Sequence, residues 1–352
     1  MNTKNDSAAP TTSNREFHLV CSSGGSRAIL ASAGVLLACD QAGIRQFKSI
    51  GGVSGGSVPT ALYASGLSAD QCVRQALEID FASLLTRRAS LFKILMAYFM
   101  QRRNEKVRPI DGVLTSEKLG EFMESFSSEW PKSYWTMGIA DKSEIIFNEA
   151  GVFEIEPDGV LRVLKNEPGP LGVAVRGSCA VPGVISAVPY DGRHLFDGAL
   201  GTEGRCPISV PTRLYGAKRQ NIIVCDVGDD VNQTSERIAR IWKFVCGPEC
   251  VPEIAEPDFF SNGRVILIRP KITGFRSLQF KLTSDLKWSA VMAGYVAAIP
   301  ELAAGNAIGG EALGVARDIT NAYKKIFDES KAKPQGYLTT ETEKLLSAHG
   351  LL

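Results

Sequence analysis

One serine of this chain stands where its hydroxyl could act as a nucleophile. Ser54 lies in Gly52-Val53-Ser54-Gly55-Gly56, inside the stretch SIGGVSGGSVP. This is the G-x-S-x-G spacing of a nucleophile elbow, whose small flanking residues let a strand turn sharply into a helix and expose the hydroxyl. In a chain with 34 glycines, the same letters also fit a plain Gly/Ser turn. An apolar strand pattern before Gly51 and a helical pattern after Gly56 favour the elbow.

A serine hydroxyl attacks a carbonyl only if a base takes its proton and donors receive the developing negative charge. Donors are expected at Ser23–Arg27 in SSGGSRA, because a glycine loop opening a helix presents unpaired N–H groups. Gly24 and Gly25 would let a substrate approach that backbone closely. A nucleotide phosphate loop is the alternative, but both the G-x-x-x-x-G-K-[ST] and the G-x-G-x-x-G spacings are missing. For the base, the chain offers only His18, His194 and His349, none well placed for a Ser-His-Asp triad. Asp197 in DGAL is the better candidate, following a hairpin that Asp191-Gly192 would turn. A turn or capping aspartate is the plainer reading of the same pair.

Those residues must be positioned by the elements around them. FHLVCS reads as a strand running into the glycine loop, and AILASAGVLLACDQAG as the helix after it. FKSIGG and SVPTALYASG repeat the pattern, giving βαβα and a parallel sheet with helices on its faces. From Ser68 to about Phe126 the pattern is mostly helical, with serines at candidate N-caps. YWTMGIAD and SEIIFNE read as neighbouring strands, PLGVAVRGSCA as a helix, QNIIVCDVG and RVILIRP as buried strands, and Ser284 to Lys325 as Ala-rich helices. The sequence predicts a polar tail over 1–16, one α/β domain over 17–330 with a helical insertion at about 68–126, and a tail or short helix over 331–352.

Taken in order, SSGGSRA, GGVSGGS and VRGSCAVPGVISAVPYDGRHLFDGAL resemble the patatin-like phospholipase family over about Phe17 to Val227. The resemblance implies a three-layer α/β/α fold with a mostly parallel central sheet, and a Ser–Asp dyad without histidine. It makes Ser54 the nucleophile that carries an acyl group and Asp197 the group that activates it and later the water. Gly24, Gly25 and Ser26 would supply oxyanion-hole N–H groups, and Arg27 would hold the loop or meet a lipid phosphate. Ser23 and Ala28 depart from the usual loop. SSGGSRA is in this respect also similar to the loop of the group IV cytosolic phospholipases.

Composition limits the rest. The chain has 352 residues, 44% of them hydrophobic, and 39 Lys plus Arg against 38 Asp plus Glu. A net charge of +1 gives no field to gather nucleic acid. Eight spread cysteines and no apolar leader point to a reducing cytoplasm. Cys246 and Cys250 in CGPEC could begin a zinc site, but no second pair follows. The aspartates of DVGDD could hold a cation or cap the loop after a strand. Leu91–Met100, flanked by Arg87, Arg88, Arg102, Arg103, Lys106 and Arg108, is too short to span a bilayer, for which about 20 residues are needed. It reads as a helix buried over the core, or as one lying at an anionic membrane with Phe92, Leu95 and Phe99 inserted. The expected function is a lipid acyl hydrolase needing no metal or organic cofactor, peripheral at the membrane. The alternatives are a lysophospholipase or general carboxylesterase, and a catalytically silent lipid-binding scaffold.

Overall fold

The chain opens on β1 (His18–Cys21), whose four residues are all buried. The computed structural model describes residues 15–90, 92–93, 96, 99–100, 112–228, 259 and 263–352. Residues 1–14 of the tail expected over 1–16, the CGPEC pair, Asp229, Asp230, Leu91, Leu95 and the basic residues Arg102, Arg103, Lys106 and Arg108 lie outside these. Arg15, assigned to the tail from sequence, is instead fixed: its guanidinium donates to Asn221 Oδ1 at 2.8 Å and to the carbonyls of Gln220 and Gly305.

After β1 come α1 (Gly25–Gln41), β2 (Ser49–Gly52), a short 3-10 turn at Ser54–Gly56, α2 (Ser57–Ala64) and α3 (Ala69–Glu78). Ser68 heads α3 in a capping box with Gln71. The stretch expected to be mostly helical also holds two short strands, β3 (Thr86–Arg87) and β4 (Gly112–Thr115), before α4 (Glu117–Glu124). Between them, the described residues of 92–100 are helical. Next come β5 (Tyr134–Ala140), β6 (Ser143–Asn148), β7 (Gly151–Ile155), β8 (Leu161–Lys165) and α5 (Leu171–Ser178). Asp141 and Lys142 turn β5 into β6 with φ of 50° and 70°, the twist a two-residue hairpin prefers.

Then follow β9 (Gly183–Ile185), β10 (Val188–Tyr190), β11 (Arg193–Leu195), α6 (Ser209–Tyr215), β12 (Ile222–Cys225) and β13 (Ile266–Ile268). The described chain closes with α7 (Ser284–Ala304), α8 (Gly310–Ser330) and α9 (Tyr337–Ala348). β3, β4 and β9 form a separate small sheet. β9 is 68 residues beyond the end of β4, too remote for a local pattern to predict the pairing.

The main sheet has eight strands in the order β13-β12-β1-β2-β5-β6-β7-β8. From β13 to β5 every pairing is parallel; from β5 to β8 every pairing is antiparallel. The parallel half is covered on both faces, which is why β1, β2 and β12 are buried at every position and lack polar alternation. One face carries α1, α2, α3 and the C-terminal helices in a single apolar cluster that includes Leu30, Leu36, Trp288 and Tyr295. The other packs Val53, Trp135, Met137, Leu200 and Val210. Layered helices around a mixed central sheet make this an α/β fold, as the motifs implied.

Candidate active site

β1 and β2 run parallel and in register, Cys21 opposite Gly52. Their carboxyl ends therefore deliver the glycine loop and the Ser54 turn side by side, at the end of a parallel sheet where ligands usually bind. The two turns touch: a Cβ on Gly55 would stand 2.2 Å from the carbonyl oxygen of Gly25.

Ser54 is the strained residue of the elbow. Its φ is 51°, a left-handed conformation that costs a non-glycine residue of order 1 kcal/mol or more. Three neighbours hold it. Its N–H donates to Ser178 Oγ at 2.9 Å, its carbonyl accepts from Ser57 Oγ at 2.6 Å, and its side of the turn follows an extended Val53. Ser54 is only 5% exposed.

Asp197 arrives from the hairpin of β10 and β11, which Asp191 and Gly192 turn with φ of 50° and 75°. It is buried, and it does cap: Oδ1 accepts from the Ala199 N–H at 2.9 Å. Oδ2 takes no part in that cap. Gly198 lets Asp197 close on the elbow, because a Cβ there would fall 2.8 Å from Val53 Cγ1 and 2.5 Å from the Met137 carbonyl oxygen.

Burial raises the Asp197 pKa to about 6, against the opposing pull of the Ala199 N–H and the Ser54 hydroxyl. Oδ2, however, is buried without a closed hydrogen bond. The hydroxyl is therefore adjacent to the carboxylate, near enough to affect its charge, but the contact is not a formed hydrogen bond. Catalytic contacts are commonly loose before substrate binds. A carboxylate with a pKa of about 6 is ionised at neutral pH and two units more basic than an exposed one, enough to serve as a general base.

The residues that bring Ser54 and Asp197 together flank neither of them directly but lie in the VRGSCAVPG stretch ahead of the hairpin. Ser178, Cys179 and Ala180, where α5 ends, form a bracket. Ser178 Oγ accepts from Ser54 N–H, Cys179 Sγ lies 3.8 Å from Ser57 Oγ, and the Ala180 carbonyl accepts from Asp197 N–H at 3.0 Å. In sequence they read as part of the GSCA run before the aspartate, and no local spacing assigns them contacts with Ser54.

The loop donors are partly committed. Ser26 N–H donates to the Ser277 carbonyl at 3.0 Å, and Ser26 Oγ donates to the carbonyls of Ser277 and Gln279. Ser23 N–H is bound to the Arg205 carbonyl at 3.1 Å. Of the three N–H groups expected to face an oxyanion, Gly24 and Gly25 have no acceptor among the described residues, while Ser26 has one. Arg27 is 5% exposed and donates to the Ile272 carbonyl at 3.1 Å, a contact that ties the loop to the segment after β13.

The remaining candidates are elsewhere. His18 is buried with Nδ1 2.8 Å from Ser49 Oγ, opposite Ser49 at the amino end of β2. Asp226 of DVGDD is gripped by Arg205 at 2.6 Å and Arg269 at 3.4 Å, and accepts from Gly228 N–H. That carboxylate is charge-balanced by guanidinium groups and caps its loop. Phe92, Met96, Phe99 and Met100 are 71%, 45%, 58% and 54% exposed, which overturns the buried-helix reading for the described part of 91–100.

A serine on a strained strand-to-helix turn thus stands beside a buried aspartate and a glycine loop in an α/β fold. The sequence matches the family described as patatin-like phospholipase over residues 19–204, more than half its length, and the chain belongs to that family. No curated protein shows a significant match. Two solved structures are similar in outline. VipD from Legionella pneumophila has 12% identity and a TM-score of 0.47, with 96% of this chain and 82% of that one covered. Human GIVD cytosolic phospholipase A2, solved with methyl gamma-linolenyl fluorophosphonate, has 14% identity and a TM-score of 0.43, with 89% and 61% covered.

Proposed function

We propose that this protein hydrolyses fatty-acyl esters of membrane glycerophospholipids through Ser54 and Asp197. The observation that carries the reading is the pairing of a left-handed Ser54 with a buried Asp197 whose carboxyl group neighbours it. Membership of the patatin-like phospholipase family supports the lipid substrate.

In this reading, Asp197 takes the Ser54 proton as Oγ bonds to the ester carbonyl carbon. The N–H groups of Gly24 and Gly25 receive the negative charge on the carbonyl oxygen. Collapse breaks the bond to the lysophospholipid oxygen, which leaves with the proton from Asp197. Water then gives a proton to Asp197 and attacks the acyl carbon, the bond to Oγ breaks, and Asp197 returns the proton to Ser54 as the fatty acid leaves. Each step uses side chains and backbone of this chain. A glycerophospholipid substrate implies peripheral membrane contact, which the exposed apolar residues Phe92, Met96, Phe99 and Met100 favour. Six buried free cysteines among the described residues fit the reducing cytoplasm in which the reading puts the protein.

The test is release of fatty acid from phosphatidylcholine and phosphatidylglycerol vesicles. The native chain is expected to release it, and Ser54→Ala to lose at least about 1,000-fold in rate, as loss of a covalent nucleophile requires. Undiminished release by that variant would sink the assignment. Matched panels of lysophospholipid, acylglycerol and short-chain ester then rank the acyl substrates.

A further inference from the structure

The segment between β13 and α7, Arg269–Leu282, lies as a strap across the oxyanion loop. Its backbone is fastened there at three points. The Ser277 carbonyl accepts from Ser26 N–H, the Gln279 carbonyl accepts from Ser26 Oγ at 3.0 Å, and the Ile272 carbonyl accepts from Arg27. A Cβ on Gly25 would overlap the strap, 2.0 Å from the Ser277 oxygen. Ile272 and Phe275 are buried beneath it.

What the strap turns outward differs from the rest of the surface. It contains Arg269, Lys271, Arg276 and Lys281 and no carboxylate, in a chain whose total charge is only +1. Arg269 is tied to Asp226, but Lys271, Arg276 and Lys281 are exposed and form no ion pair among the described residues. Between the last two stands Leu278, 42% exposed, a large apolar side chain at the crest of a cationic loop. Local positive charge around an exposed aliphatic residue is the pattern that binds anionic headgroups while inserting shallowly into the acyl boundary.

We propose that the strap Arg269–Leu282 is a docking surface for anionic phospholipid membrane, with Lys271, Arg276 and Lys281 among the headgroups and Leu278 in the interface. The choice of a lipid partner rests on the hydrolase reading above; the surface itself is defined by the strap. Docking here sets the mouth of the glycine loop against the bilayer.

The experiment measures binding without turnover. The full-length chain carrying Ser54→Ala is sedimented with vesicles rich in phosphatidylglycerol and with vesicles of phosphatidylcholine alone. Binding is expected to favour the anionic vesicles and to weaken with salt. Adding K271E, R276E and K281E is expected to reduce it about tenfold or more. Reversing three exposed lysines of the C-terminal region, K324E, K325E and K333E, is expected to leave most of it. Strap reversal without effect, or an equal loss in both triple variants, overturns the proposal. Thermal unfolding is recorded for each. If the strap triple is destabilised, the single R276E and K281E variants carry the same comparison at smaller amplitude. Vesicle phospholipid hydrolysis by the purified chain that survives Ser54→Ala would fail the hydrolase reading and leave this binding comparison intact.

Discussion

At the scale of single residues, Asp197 ties chemistry to stability. Its pKa moves from 3.8 to about 6 on folding, so the folded state holds the proton more tightly than the unfolded one. Below 3.8 both states are protonated and the group is neutral to stability. Between 3.8 and about 6 a penalty builds, and above that it is constant at ~3 kcal/mol. Asp197→Asn is therefore expected to abolish hydrolysis yet raise unfolding free energy by up to ~3 kcal/mol at pH 8, with little gain at pH 4. Chemical denaturation at the two pH values reads the difference, and a gain equal at both would refute the burial argument. The native enzyme's kcat/KM should decline below pH of about 6 as Asp197 takes its proton.

At the scale of elements, the end of α5 determines whether the two motifs meet. Removing the Ser178 hydroxyl leaves the buried Ser54 N–H without its acceptor, a loss of ~1–3 kcal/mol. Ser178→Ala is expected to lower kcat and slow fluorophosphonate labelling of Ser54, with KM little changed, because the turn and not the lipid contact is loosened. Equal labelling rates in native and variant protein would show that the bracket does not position the nucleophile.

The same element marks how far the sequence can be read. Ser54 was legible because strand, glycines and helix are all local to it, and Asp197 because a two-residue turn and a glycine flank it. Ser178 acts across 124 residues and Ser277 across 251. Neither contact has any local periodicity, so the bracket and the commitment of Ser26 N–H emerge only from topology. Arg27 is a related case: the Ile272 carbonyl, 245 residues away, takes one of its N–H groups, a partner that no local pattern names.

For the whole molecule, the C-terminal stretch is part of the core. Leu338 and Leu346 of α9 are buried in the same cluster as α1 and α7, Trp288 Nε1 donates to Glu343, and Asp285 accepts from Gly336 N–H and Thr339. A chain truncated before Tyr337 is expected to lose at least ~3 kcal/mol, from two leucines alone, and to melt several degrees lower in calorimetry. An unchanged melting temperature would return these residues to the status of a tail.

The parallel register of the central sheet also dictates an order of assembly. His18 pairs with Ser49 on one side but with Ile222 on the other, so the strand that leads into the glycine loop keeps an open edge until more than 200 further residues have followed it. On a ribosome, the elbow is synthesised long before that edge is closed, and the aspartate shortly before it. Val227 and Ser277, which wall the loop, come later still. Pairings so distant in sequence form slowly and expose strand edges meanwhile. The surroundings of Ser54 are thus complete only once the chain has been made past Ser277, when most of the fold can exist.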